Sequence, residues 1–297
     1  MDNLIRSLLL FYLLFFIRIH STSSQPTTLT CTELNFTSIS LTTGQLIQSY
    51  AFESPHFITS LLKCSGNDYY VLASGPDSYQ PGYFNISILN GETGTFTTKA
   101  TFYIPENPMF IYQSNSIDLP SGLAFTTFCN SGSSYIYIFD MNTETVETIA
   151  TNNHCVLYTF GAYDPTNQLY YLYGYETGTR SSLSFGVYSM ITKNITYYDI
   201  PFEMQFWSSV ETIHVYESIV YVGLLQDKYY QVITIDFNTK TTRSIFKADF
   251  QQLETTAEFV LDPNGYMVVV SLNPPNYNIF TIDLQTEQYT NQIKLYE

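Results

Sequence analysis

The chain has 297 residues, 45% of them hydrophobic and 17% aromatic, which is ample material for a large core. Only 12% are charged, and this excludes an acidic disordered tail. Lys and Arg number 11 against 26 Asp and Glu, a net charge of −15 that excludes the basic footprint of a nucleic-acid binder and disfavours anionic membrane surfaces.

Residues 1–24 have the three-part layout of a secretory signal peptide. Arg6 supplies the basic start, Leu8 to Ile17 the apolar run, and Ser21 to Ser24 the small polar region before cleavage. The apolar run is about half the ~20 residues that a membrane-spanning helix needs. An uncleaved N-terminal anchor is the alternative, because Arg18 and His20 interrupt the cleavage region. The expected product is secreted, has no membrane span after signal removal, and forms one domain over residues 25–297. The four cysteines, Cys31, Cys64, Cys129 and Cys155, all lie in that domain, and an even count in an exported chain implies two disulfides. Asn35, Asn85 and Asn194 each open an N-x-Ser/Thr sequon and are the expected glycosylation sites.

The remainder is a repeat. A small turn-forming residue recurs at Ser40, Asn90, Asp140, Ser189, Asp236 and Asp283, at intervals of 50, 50, 49, 47 and 47. Three residues after each stands a threonine: Thr43, Thr93, Thr143, Thr192, Thr239 and Thr286. The residue before each is apolar, and so is the residue four before it. A side-chain oxygen at the anchor can accept backbone N–H groups two or three residues on, which fixes a tight turn between two strands. Thr is then expected to open the following strand, where its β-branch is favoured. A ring of six functional acids or hydroxyls fits this geometry poorly. A second pair of strands precedes each hairpin, turning near Ser65, at Asp164–Asn167, near Glu217 and at Asp262–Gly265. The least strand-like stretch runs from Lys247 to Glu258.

The expected fold is therefore all-β, with about six repeats of 47–50 residues. The "lYv … v.viD..T" shape of each copy resembles the broad β-propeller superfamily, most nearly the YVTN and quinoprotein-like blades. That resemblance spans residues 30–297 and implies five complete four-stranded blades plus an N-terminal hairpin. It also implies that Cys129 and Cys155 share a face and pair, which leaves Cys31 with Cys64.

No metal-ligand spacing, nucleophile elbow or phosphate loop accompanies the repeat, so no catalytic residue, metal or cofactor is assigned. Three classes compete: an extracellular recognition or adhesion module; a secreted hydrolase, lyase or cyclotransferase with a site at the channel mouth; and a coat or matrix scaffold. The expected partner is an extracellular protein or glycan. In a propeller, the blade-to-blade connections share a face with the loops joining second and third strands. Here that face carries the least repetitive segments, with Glu53, His56, Glu106, His154, Glu203 and Trp207 as candidate binding residues.

Overall fold

The computed structural model describes twenty-five strands. It also describes residues 82, 93–95, 104, 119–122, 141–144, 165–168, 174, 181, 190–194, 202–204, 208, 217–218, 226, 237–240, 265 and 284–287. Among these residues there is no helix. The first sheet contains β1 (Arg18–Thr22), β2 (Gln25–Thr32), β3 (Asn35–Ser40) and β4 (Leu46–Ala51). The second contains β5 (Ile58–Ser65), β6 (Asp68–Ser74), β7 (Tyr83–Asn90) and β8 (Phe96–Tyr103). The third adds the short β9 (Met109–Phe110) to β10 (Ser116–Asp118), β11 (Leu123–Asn130), β12 (Ser133–Asp140) and β13 (Thr145–His154). The fourth contains β14 (Phe160–Asp164), β15 (Leu169–Tyr173), β16 (Ser182–Ser189) and β17 (Ile195–Pro201). The fifth contains β18 (Ser209–Tyr216), β19 (Ile219–Leu225), β20 (Tyr229–Asp236) and β21 (Thr241–Asp249). The sixth contains β22 (Ala257–Leu261), β23 (Tyr266–Asn273), β24 (Asn276–Asp283) and β25 (Gln288–Tyr296).

Each sheet is an antiparallel meander in chain order. The first sheet also has four strands, where the sequence pattern shows only the β3–β4 hairpin; β1 and β2 complete it, with Arg18 opposite Leu29 and Thr22 opposite Gln25. The Lys247–Glu258 stretch, expected to be least strand-like, has strand at both ends and residues 250–256 outside the described set.

Consecutive sheets pack face to face, and the alternation of each middle strand shows how. On β12, Tyr137 and Phe139 join a core with Phe84, Ile86 and Phe102 of the second sheet. The intervening Ile136 and Ile138 pack with Tyr170, Leu172 and Tyr188 of the fourth. On β19, Val220, Val222 and Leu224 face the fourth sheet, while Tyr221 and Leu225 face the sixth. Middle strands buried on both faces must be apolar at every position, which explains runs such as IVYVGLL. The fourth strands, covered on fewer sides, are largely exposed along β8, β17 and β21. First strands neighbour one another from β5 through β10, β14 and β18 to β22, so they form the inner edge of the stack.

Because strands alternate direction, the first-to-second and third-to-fourth turns of every sheet lie at one end. The second-to-third loops and the links to the next sheet lie at the other.

The turn end is built as the repeat demands. Asp140 Oδ1 accepts the N–H groups of Asn142 (2.9 Å) and Thr143 (3.3 Å), and Asp236 and Asp283 do the same two and three residues on. Asn90 and Ser189 accept the third-residue N–H from Thr93 and Thr192. The threonine lies inside the turn instead of opening the strand, which begins two or three residues later. In three of the turns its hydroxyl also bonds forward: Thr93, Thr143 and Thr239 each meet the hydroxyl of the threonine two residues on, at 2.8 Å. The fourth residue after the anchor takes left-handed backbone in five consecutive sheets, with φ of 69° at Gly94, 55° at Glu144, 56° at Lys193, 54° at Lys240 and 55° at Glu287. That conformation aims its N–H back at the anchor carbonyl, 2.8 Å away for both Gly94 and Lys193.

Candidate functional site

The two ends of the stack offer different chemistry. At the turn end, Asp164 is almost wholly buried and accepts from Thr166 N, Asn167 N, Asn167 Nδ2 and, across to the next sheet, Ser218 Oγ. Every one of these bonds closes or braces a turn. Carbonyls of Gly122, Gln168 and Gly265 then accept N–H groups of Met141, Met190 and Leu284, which ties the first turn of a sheet to its second. Backbone donors hold Asp140 and Asp236 below the ordinary aspartate range. This end is a structural lattice.

Two of the six candidate binding residues are described, and both lie at the connection end. His154 ends β13, opposite Ser133. Glu203 follows β17 and is exposed. Both therefore lie at the connection ends of neighbouring fourth strands. Glu53, His56, Glu106 and Trp207 fall outside the described residues. Cys31 (β2), Cys64 (β5) and Cys129 (β11) occupy strands, opposite Phe36, Tyr69 and Ser134 respectively, and Cys155 falls outside the described set.

The sequons differ in setting. Asn35 opens β3, opposite Ala51. Asn194 is exposed beside the Ser189 turn. Asn85 is only 5% exposed, and its Oδ1 accepts Thr101 Oγ1 at 2.7 Å across the β7–β8 pair. A glycan on Asn85 would have to leave that position for the strands to pair, so the sequon and the packing conflict there.

Sequence reasoning missed the most perturbed group at this end, Glu211 on inner strand β18. Val210 and Ile213 of this strand pack into the core shared with the fourth sheet, and Val215 lies against it. Strict alternation would place Glu211 beside Ile213 in that apolar interface. A bulge prevents this: Val210 pairs with Leu224, Thr212 pairs with Gly223, and Glu211 is the extra residue between them. Its carboxylate accepts a hydrogen bond from Ser209 Oγ, and next to it Ser208 Oγ donates to Oε1 of the buried Gln226 on the second-to-third loop. Further along, Thr212 Oγ1 lies 3.2 Å from His214 Nε2. Glu211 is half-buried. Burial pushes its carboxyl up to about 7, against the opposing pull of the Ser209 hydrogen bond. The sequence signal was an acid interrupting the apolar alternation of SVETIHV, which is legible only once the bulge is known.

The sequence matches no protein-family model and no curated protein. Solved structures do resemble the fold. The chain is similar to TolB from Acinetobacter baumannii, with a TM-score of 0.57 at 15% identity over 89% of this chain and 59% of that one. It is similar to a chain of a nidogen/laminin complex, with a TM-score of 0.53 at 11% identity over 87% and 89% of the two chains. A prolyl endopeptidase gives 0.52 at 11% identity over 94% of this chain and 42% of that one. These neighbours are β-propeller proteins, and the stacked four-stranded meanders define this chain as one too.

Proposed function

We propose that the protein is an exported recognition module, in which the propeller presents its connection end to an extracellular protein partner. The observation that carries this reading is the contrast between the ends. At the turn end the same side-chain and backbone bonds recur sheet after sheet, leaving little freedom to vary. Among the described residues of the connection end that turn pattern does not recur, and an acid, Glu211, stands there as the extra residue of a bulge. Functional residues gather on loops that a rigid scaffold positions and does not constrain. The resemblance to a propeller solved in a nidogen/laminin complex is consistent with a protein partner.

Export rests on residues 1–24, and glycosylation on the exposed Asn194 together with Asn35. β1 lies within the signal, so cleavage between Ser21 and Gln25 removes most of it and leaves β2 at the edge of the first sheet. N-terminal sequencing of protein collected from medium tests the cleavage. A species that begins at Met1 overturns it.

The binding surface is tested by capture from intact cells. Replacing Glu203 and Trp207 by Ala reduces capture of the partner, whereas Asn238→Ala on the turn end does not. Equal capture by both folded variants places the surface elsewhere.

A further inference from the structure

The first sheet differs from the others in what export leaves of it. Its first strand, β1, pairs with β2 over five positions, from Arg18 opposite Leu29 to Thr22 opposite Gln25. β1 lies within the signal, so on the export reading cleavage between Ser21 and Gln25 takes most of it away. β2 keeps β3 on its other side, from Thr27 opposite Ser40 to Thr32 opposite Asn35. The processed chain then has five sheets with a first strand and one without.

Backbone chemistry defines what can take that place. Along Gln25–Leu29 the N–H and C=O groups that faced β1 lose their partners, and an unpaired strand edge is a template for another strand. An extended polypeptide offers alternating donors and acceptors at the spacing of a strand, which sugars and ions do not. The equivalent strand of the fourth sheet, β14, is buried along its whole length, so the position is an enclosed one. β1 also sets the direction. It runs from the connection end to the turn end, antiparallel to β2.

We propose that signal removal opens the first-strand position of the first sheet to an extended segment of the protein partner, which pairs antiparallel with Gln25–Leu29. This assignment deepens the recognition reading and rests on it and on cleavage of the signal. A segment that enters from the connection end in this direction leads with its C-terminal side. Main-chain hydrogen bonds carry most of the affinity of such strand addition, so β1's own sequence can stand in for the partner.

The experiment uses the exported protein collected from medium, with acetyl-Arg-Ile-His-Ser-Thr-amide as the probe. Hydrogen exchange read by mass spectrometry follows residues 25–32. At saturating peptide, exchange in this segment slows about tenfold, as expected for amides drawn into a strand pair. A control peptide carries proline in place of both Ile19 and His20. Neighbouring residues alternate between bonding to β2 and facing away, so one of the two prolines removes a needed donor in either phase. The control leaves exchange unchanged.

A variant with a second copy of residues 18–24 inserted after the signal keeps β1 after cleavage. Its tethered strand fills the position at high effective concentration, so added peptide changes nothing and capture of the cellular partner falls about tenfold. Ile19→Pro with His20→Pro in the retained copy restores capture. No slowing by the probe, equal slowing by the proline peptide, or equal partner capture with and without a retained β1 overturns the assignment. If the β1-retaining variant still captures the partner that the Glu203/Trp207 variant loses, strand addition fails while the recognition surface stands. An exported product that begins at Met1 overturns the export reading and this assignment together.

Discussion

Asp236 and Glu211 belong to one sheet and carry the same charge, yet they sit at opposite ends and have opposite electrostatic fates. Asp236 is solvent-exposed and accepts two backbone N–H groups, which hold its carboxyl below the ordinary range. Glu211 is enclosed and accepts one hydroxyl, so burial wins and its carboxyl rises to about 7. The comparison separates two uses of an acid. One is stabilised as an anion and shapes the chain; the other has its ionisation opposed by burial.

The largest expected effect lies at Glu211. Its carboxyl ionises at about 7 when folded against an ordinary 4.5, so the unfolded chain releases the proton first and rising pH across that window favours unfolding. Glu211→Gln therefore raises stability by roughly 3 kcal/mol at about pH 8 and has little effect near pH 4. Denaturant melts at both pH values check this, and a variant that is no more stable at the higher pH would show that burial does not raise this carboxyl.

Asp236→Ala has the reverse signature and a smaller size. The folded pKa of Asp236 is depressed, so its contribution is complete above the ordinary 3.8 and is lost as pH falls through the lower folded value. The variant melts below wild type at neutral pH, and the two converge in strong acid. Asp236→Asn stays close to wild type, because Asn90 already fills the same role in the second sheet.

The left-handed position after each turn gives the next effect. Lys240→Gly relieves a conformation unfavourable to side chains and stabilises by about 1 kcal/mol in thermal melts. Glu287→Gly gains less, because Glu287 also pairs with Arg243 of the preceding sheet. Equal gains would show that this ion pair contributes nothing.

The smallest prediction extends that pairing. Lys193 reaches Glu147 at 3.0 Å, and Glu287 reaches Arg243; in both cases the left-handed residue of one sheet meets the fourth strand of the sheet before it. Glu147 and Arg243 each stand seven residues after their anchors, and the equivalent position on the sheet before Glu144 is Thr97 of β8. Thr97→Lys should form a third pair worth about 0.3–0.5 kcal/mol, a gain that disappears in high salt and in a Glu144→Gln background.

Much of the fold was legible because repetition exposes it. Anchor and threonine recur at fixed spacing, and the anchor's hydrogen bonds fall where the spacing places them. The left-handed residue was hidden because Gly94 is the only glycine among its five copies, and glycine is the usual sign of such backbone. β1 and β2 were hidden because RIHST and QPTTLTCT lack the apolar runs of the other first and second strands. Glu211 was hidden because a bulge inserts one residue and reverses the inside–outside reading of everything before it. The burial of Asn85 depends on Thr101, sixteen residues away, and no sequon records that.

The charges on the left-handed residues also bear on assembly order. Sheets built from one repeat have similar faces and can dock in the wrong sequence while the chain folds, a common failure of repeat proteins. Here the signs are crossed. The third sheet offers Glu147 to Lys193 of the fourth, whereas the fifth offers Arg243 to Glu287 of the sixth. If the sixth sheet docked on the third, Glu287 would meet Glu147; if the fourth docked on the fifth, Lys193 would meet Arg243. Like charges in register oppose both errors. Lys193 and Glu287 thus act as address labels, marking for the fourth and sixth sheets which neighbour each should follow.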